Sequence, residues 1–191
     1  MRLLRTKGYF ILSIFVLSFN FPQHVLSAQP FDHTHSIWGE VLSKYVSDAG
    51  QVNYKSLKAS NADTQKLLNY NKNLQSVSKA TFNSFNRNQK MSFLINSYNA
   101  LTIELVIKHY PVKSIKDIKS GGFLNILGTP WKISFFKLLG GDIDTLDEIE
   151  HEHLRPTYKD YRVHAALNCA SKSCPKLLNR PYTPNLLNQQ L

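Results

Sequence analysis

Hydrophobic positions along this chain recur mainly at helical spacing. In "HSIWGEVLSKYVSDAG", Trp38, Val41, Leu42, Tyr45 and Val46 share one helical face, and Gly50 stops the pattern. "QVNYKSLKAS" fits a brief extended segment before a polar helix from about Ala62 to Tyr70. "SVSKATFNSFNRNQK" is polar enough to be connector, with a helix start near Asn86 or Asn88. The strongest signal follows in "NQKMSFLINSYNALTIELVIKHYP". There Leu94, Tyr98, Leu101 and Leu105, with Ile95, Thr102 and Val106 on an adjoining line, make a wide apolar stripe that Pro111 ends. This predicts a central amphipathic helix over Met91–His109.

Asn96 and Asn99 stand three apart within that stripe. A buried amide without partners costs about 1–3 kcal/mol, so each either ties down backbone from elsewhere in the chain or meets a ligand.

After Ser120 the pattern shortens. Gly121, Gly122, Gly128 and Pro130 interrupt helix, and "PWKISFFKLLGG" has the aromatic and β-branched content of a short strand or hairpin ending at Gly140 and Gly141. Neither the Walker spacing nor the dinucleotide fingerprint accompanies these glycines, so they read as turns. "TLDEIEHEHLRP" starts a helix with Thr145 and Glu148 as a capping box and Pro156 near its end. On a 100° wheel Leu146, Ile149, Glu150, His153 and Leu154 share a face, while His151 and Arg155 lie toward another side. His151 and His153 are about 200° apart, too far for one metal ion on a regular helix. Glu150 on the apolar face needs a partner, since an unpaired buried carboxylate is costly.

"RVHAALNCASKSCP", residues 162–175, carries both cysteines. Alternation predicts a strand with Val163, Ala165, Leu167 and Cys169 on one side, and Pro175 suits the first position of a short helix, whose dipole would favour a Cys174 thiolate. Three readings of the pair stay open: a Cys169–Cys174 disulfide or inert thiols, a Cys169-centred catalytic or binding site, and a metal site with His164 or His151. The disulfide would close a very short loop, contributing about 2 kcal/mol by chain entropy before any strain.

The N-terminus changes the chemical context. Arg2, Arg5 and Lys7 precede the apolar run "FILSIFVLSF", and "VLSAQP" offers small residues for cleavage after Ser27 or Ala28. Roughly ten apolar residues are too few to span a bilayer, which takes about 20. Residues 1–28 are therefore expected to be a signal peptide and 29–191 one exported domain, periplasmic or secreted. An uncleaved signal segment is the one membrane contact foreseen. Losing Arg2, Arg5 and Lys7 and no acidic residue lowers the formal charge from +10 to +7. No basic run is interleaved with aromatics, so a nucleic-acid groove is not expected. An anionic envelope polymer or a protein partner is compatible with this diffuse basicity.

The segments "FLINSYNAL", "IEHEHLRP", "RVHAALNCASKSCP" and "PYTPNLLNQQL" resemble successive blocks of the family called domain of unknown function 547, from roughly Val52 to the C-terminus. The resemblance implies a mixed helix and strand domain, exported in bacteria and joined to a coiled coil in plants, with no reaction established. Ile149, Glu150, His151, Leu154 and Arg155 match one family block, whereas His153 stands where an apolar residue is usual. Plant members resemble the cysteine block at Cys169 but carry serine for Cys174 and no match to His164. A site requiring both cysteines therefore cannot define the family. Members continue beyond "YTPNLLNQQL", where a last helix starts at Thr183 and Pro184, so the C-terminal part of the domain is expected to be missing.

The expected fold is thus α+β, a central amphipathic helix packed on a small sheet. Two functional classes follow. One is a thiol-dependent hydrolase or acyl transferase, with Cys169 as nucleophile, His151 as base and Glu150 or an asparagine amide as orienter. The other is a non-catalytic binding module in which Glu150, His151 and Cys169 are structural. Asn96, Asn99, Arg155 and His164 are the candidate binding residues, and no cofactor and no metal ligand set is assigned.

Overall fold

Burial on every side, rather than along one stripe, distinguishes the longest helix. The computed structural model describes residues 30–119, 129–171 and 174–191. In chain order its helices are α1 (Ser36–Tyr45), α2 (Tyr54–Ala59), α3 (Asn61–Gln75), α4 (Lys79–Ser84) and α5 (Arg87–His109). A continuous helical stretch follows, made of α6 (Leu146–Glu148), a π-helical turn (Ile149–Leu154) and α7 (Arg155–Tyr158). The short α8 (Val163–Ala166) and α9 (Leu187–Gln190) complete it. The signal-peptide reading and Gly121, Gly122 and Gly128 lie outside the described residues. No helix among the described residues is long and apolar enough to cross a membrane.

α5 begins at a capping box in which Asn86 accepts from the Gln89 backbone and the Gln89 side chain accepts from Asn86. Every residue from Met91 to Ile107 is buried. α3, α2 and the π-helical turn pack around it. Its polar residues are therefore inside, and most find partners within reach. The Ser92 and Thr102 hydroxyls donate to the carbonyls of Asn88 and Tyr98 one turn back. Glu104 accepts from the Asn71 amide of α3 at 2.6 Å and pairs with Lys108.

The sheet expected from the sequence is absent from the described residues, which hold only two isolated bridges, Val46 with Val52 and Leu138 with Ile143. The α+β expectation is corrected to an all-helical domain. At Arg162–Cys169 the reason is visible in burial. Val163, Ala166 and Leu167 are buried while Ala165 is exposed, a helical spacing that short apolar runs do not distinguish from alternation. The "PWKISFFKLLGG" segment forms a 3₁₀ turn at Pro130–Lys132 and one bridge closing around Gly140 and Gly141, both at positive φ. α2 and α4 fold where connector or extended chain was expected, each capped by a polar side chain, Asn53 and Ser78. Pro175 starts no helix, which removes the dipole argument for Cys174, and the last helix starts at Leu187 rather than near Thr183.

Two side-chain amides on α5 do the work a partner strand would do. Asn99 Nδ2 donates to the Ala166 carbonyl at 2.9 Å while its Oδ1 accepts from the Asn168 N–H at 2.8 Å. One turn earlier, Asn96 Nδ2 donates to the Tyr182 carbonyl at 2.7 Å and its Oδ1 accepts from the Tyr182 N–H at 3.1 Å. Both C-terminal segments thus have buried backbone groups satisfied by α5. A third tie is steric. At Gly50, with φ of +76°, a Cβ would stand 2.7 Å from Lys176 Cβ and 2.9 Å from the Leu177 nitrogen, so only glycine lets the α1–α2 turn meet the chain at Lys176 and Leu177.

At the other end of the core, His35 is buried in the left-handed conformation with Nδ1 2.7 Å from the Tyr70 hydroxyl, and burial lowers its pKa to about 3.

Asn99→Ala is expected to destabilise the fold by about 1–3 kcal/mol for each backbone group left without a partner. Ser97→Ala, next to Asn96, removes a buried hydroxyl that has no partner and should leave stability within about 0.5 kcal/mol. Urea denaturation of both variants checks this; equal midpoints for the two would contradict it.

Candidate functional site

The π-helical turn decides which side chains of "IEHEHLRP" meet. In a regular helix residues five apart diverge by about 140° at 100° per residue. Here the Arg155 N–H reaches back to the Glu150 carbonyl, the i→i+5 bond of a π turn, which winds the helix wider and brings position i+5 back over i. Arg155 Nη2 consequently lies 2.8 Å from Glu150 Oε1. The Glu150 side chain is 13% exposed and that of Arg155 45%, so the carboxylate is the inner partner and the guanidinium the outer one.

His164 of α8 completes the group. Arg155 Nη2 lies 2.9 Å from His164 Nδ1, and Glu150 Oε1 lies 3.4 Å from the same nitrogen. One ring nitrogen cannot both accept from the arginine and donate to the carboxylate. A guanidinium can only donate, and its contact is the shorter, so Nδ1 accepts and the ring proton sits on Nε2. α8 holds His164 here because Asn99 secures the chain immediately after it.

Arg155 and His164 line a shallow basin of about 520 Å³ with Lys159, Asp160 and Tyr161. Lys159 occupies the left-handed position that ends α7, turning the chain outward. Tyr161 is 89% exposed. Asp160 is committed to Arg162, whose guanidinium hydrogen bonds hold the carboxyl below the usual range. The basin therefore presents donors: the outward N–H groups of Arg155, the Nε2–H of His164 and the Lys159 ammonium.

The remaining expected residues are placed differently. Cys169 and Cys174 are joined in a disulfide, and neither is a free thiol. Around it Asn168 donates to the Pro175 carbonyl at 2.7 Å and accepts from the Ala170 N–H at 3.1 Å. His151 is exposed, 3.9 Å from Asp147 Oδ1 on its own helical stretch, and not paired with Cys169. His153 is half-buried. Asn96 and Asn99 both spend their amides on backbone, as above. Among the described residues no three His, Cys, Asp or Glu side chains converge as a metal site.

A family model of proteins of unknown function, DUF547, matches residues 82–191. The chain belongs to the DUF547 family. The matched span covers α5, the π turn, the basin and the disulfide loop, so the whole candidate site is DUF547 material, while α1 to α3 lie before it. No curated protein and no solved structure matches the chain.

Sequence reasoning missed Lys159 and Tyr161, because nothing in a local pattern separates an exposed tyrosine from a core one. It also missed the Asn71–Glu104–Lys108 group, although the signal was there: Glu104 in "LTIELVIK" is a carboxylate in an apolar run, as Glu150 is.

Glu150→Ala removes the carboxylate that anchors the Arg155 guanidinium against His164 and should lower stability by about 1–3 kcal/mol in urea denaturation. An unchanged midpoint would mean the group does not hold α8 to the π turn.

Proposed function

We propose that this DUF547 protein is an exported, disulfide-stapled binding domain that takes an oxyanion-bearing partner at the basin of Arg155, Lys159, Tyr161 and His164. The observation that carries this reading is the 2.9 Å contact of Arg155 with His164 Nδ1, which turns the histidine into an outward donor beside a guanidinium already anchored by Glu150. Donors converging on a solvent-facing basin suit carboxylate or phosphate groups, and the exposed Tyr161 ring adds an apolar contact beside them. Basicity of the chain favours the same class of partner, an anionic envelope polymer or an acidic protein segment. Export is supported by the basic, apolar and small-residue pattern of residues 1–28 and by a disulfide, which oxidising compartments preserve.

A thiol-dependent hydrolase or acyl transferase would need Cys169 as a thiolate with His151 beside it. The disulfide and the His151 contact with Asp147 weigh against that reading.

The test is a titration of the oxidised protein with polyglutamate as the model polyanion. Binding that weakens with salt, and about tenfold in Arg155→Gln, is expected from losing one charge-assisted contact. Undiminished binding by Arg155→Gln and His164→Ala, or alkylation of Cys169 by iodoacetamide without prior reduction, would overturn the reading.

A further inference from the structure

A second concavity lies apart from the basin, where the α1–α2 turn faces the disulfide loop. It encloses about 610 Å³, the size of a small-ligand site, and its walls include Gly50, Val52, Tyr54, Asn168, Cys174 and Lys176. Its two sides come from chain segments more than a hundred residues apart. Gly50 brings them together, because its missing side chain lets the turn touch Lys176 and Leu177. Asn179 ties the same sides from outside through Asp48 at 2.9 Å.

The chemistry inside is uneven. Asn168 spends one amide N–H on the Pro175 carbonyl and its oxygen on the Ala170 N–H, which holds it to the loop. Tyr54 is different. Its ring is half-buried, burial pushes its phenol above the usual range, and its hydroxyl has no hydrogen-bond partner among the described residues. It therefore faces the cleft as a neutral donor and acceptor. Gln51 also lines the cleft, and among the described residues its side-chain amide has no hydrogen-bond partner and the Lys176 ammonium no ion pair. Val52, Ala170 and Pro175 supply apolar wall between these groups.

One cation, one amide, one phenol and apolar wall between them match a short peptide ending in a free carboxylate. We propose that this cleft binds such a peptide: its carboxylate meets Lys176, its amide pairs with Gln51, a carbonyl accepts from Tyr54, and a small apolar side chain rests on Val52 and Pro175. The disulfide fixes the wall that carries Cys174 and Pro175, so the site belongs to the oxidised protein. It is independent of the anion basin, which shares no residue with it.

The probe is an N-acetylated alanine dipeptide, compared with its C-terminal amide, by isothermal titration of the oxidised full chain. The acid should bind at millimolar concentration and the amide about fivefold more weakly, the worth of one charged contact. Tyr54→Phe should weaken both probes, Lys176→Gln should make them equal, and Arg155→Gln should change neither. The double variant Cys169→Ser, Cys174→Ser should weaken both, with its fold checked by circular dichroism. No saturable binding of the acid, equal binding of acid and amide by the wild type, or binding unmoved by both Tyr54→Phe and Lys176→Gln would overturn the proposal. Loss of binding in Arg155→Gln would instead assign the peptide to the basin and overturn the cleft.

Discussion

Two asparagine amides inside the longest helix hold two C-terminal segments of this molecule to its core. A chain segment that crosses a core must have its buried N–H and C=O groups satisfied, and proteins usually do this with a sheet or a helix. Around α5 neither serves the Ala166 carbonyl at the end of α8, the Asn168 N–H or the Tyr182 backbone. Asn99 and Asn96 each present one donor and one acceptor in the spacing of a peptide group, so each pairs with backbone as a neighbouring strand would. Their positions three apart place the two clamps on one side of α5, where they hold Ala166, Asn168 and Tyr182.

The candidate site depends on this arrangement twice over. Asn99 fixes the end of α8, and α8 carries His164. The other half of the site is fixed by the π turn, where one widened helical turn brings Arg155 over Glu150. Such turns cost regular hydrogen-bond geometry and are frequent at functional sites. Here the return is a guanidinium held at one edge by a carboxylate and still open to solvent at the other. The disulfide follows directly on Asn168, so the Asn99 clamp adjoins Cys169, and the Asn168 side chain reaches Pro175 on the wall of the cleft beside Gly50.

How much of this was legible in the chain depends on the length of each signal. α5, its start near Asn86 and the capping box at Thr145 were readable because periodicity and cap residues reinforce each other over many positions. The bonding role of Asn96 and Asn99 was readable as one of two alternatives from the cost of burying an amide. The strand assigned to Arg162–Cys169 was wrong because four apolar positions in seven residues fit either period, and tertiary contact with Asn99 chose a helical turn. The wheel that separated Arg155 from Glu150 assumed 100° per residue, and a π turn breaks that assumption without leaving any mark in composition. The apolar run around Glu104 signals that its carboxylate needs a partner, but which one, Asn71, is set by the fold, as is the approach of Gly50 to Lys176.

Hydrogen exchange of two backbone amides tests the clamps most directly. The N–H groups of Asn168 and Tyr182 belong to no strand and no helix, and their acceptors are the Asn99 and Asn96 side chains. If the clamps hold the C-terminal segments to the core, both amides exchange only through global unfolding, as slowly as the middle of α5, and Asn168 loses that protection in Asn99→Ala. Exchange of both amides at the rate of exposed loops in the wild-type protein would contradict the account.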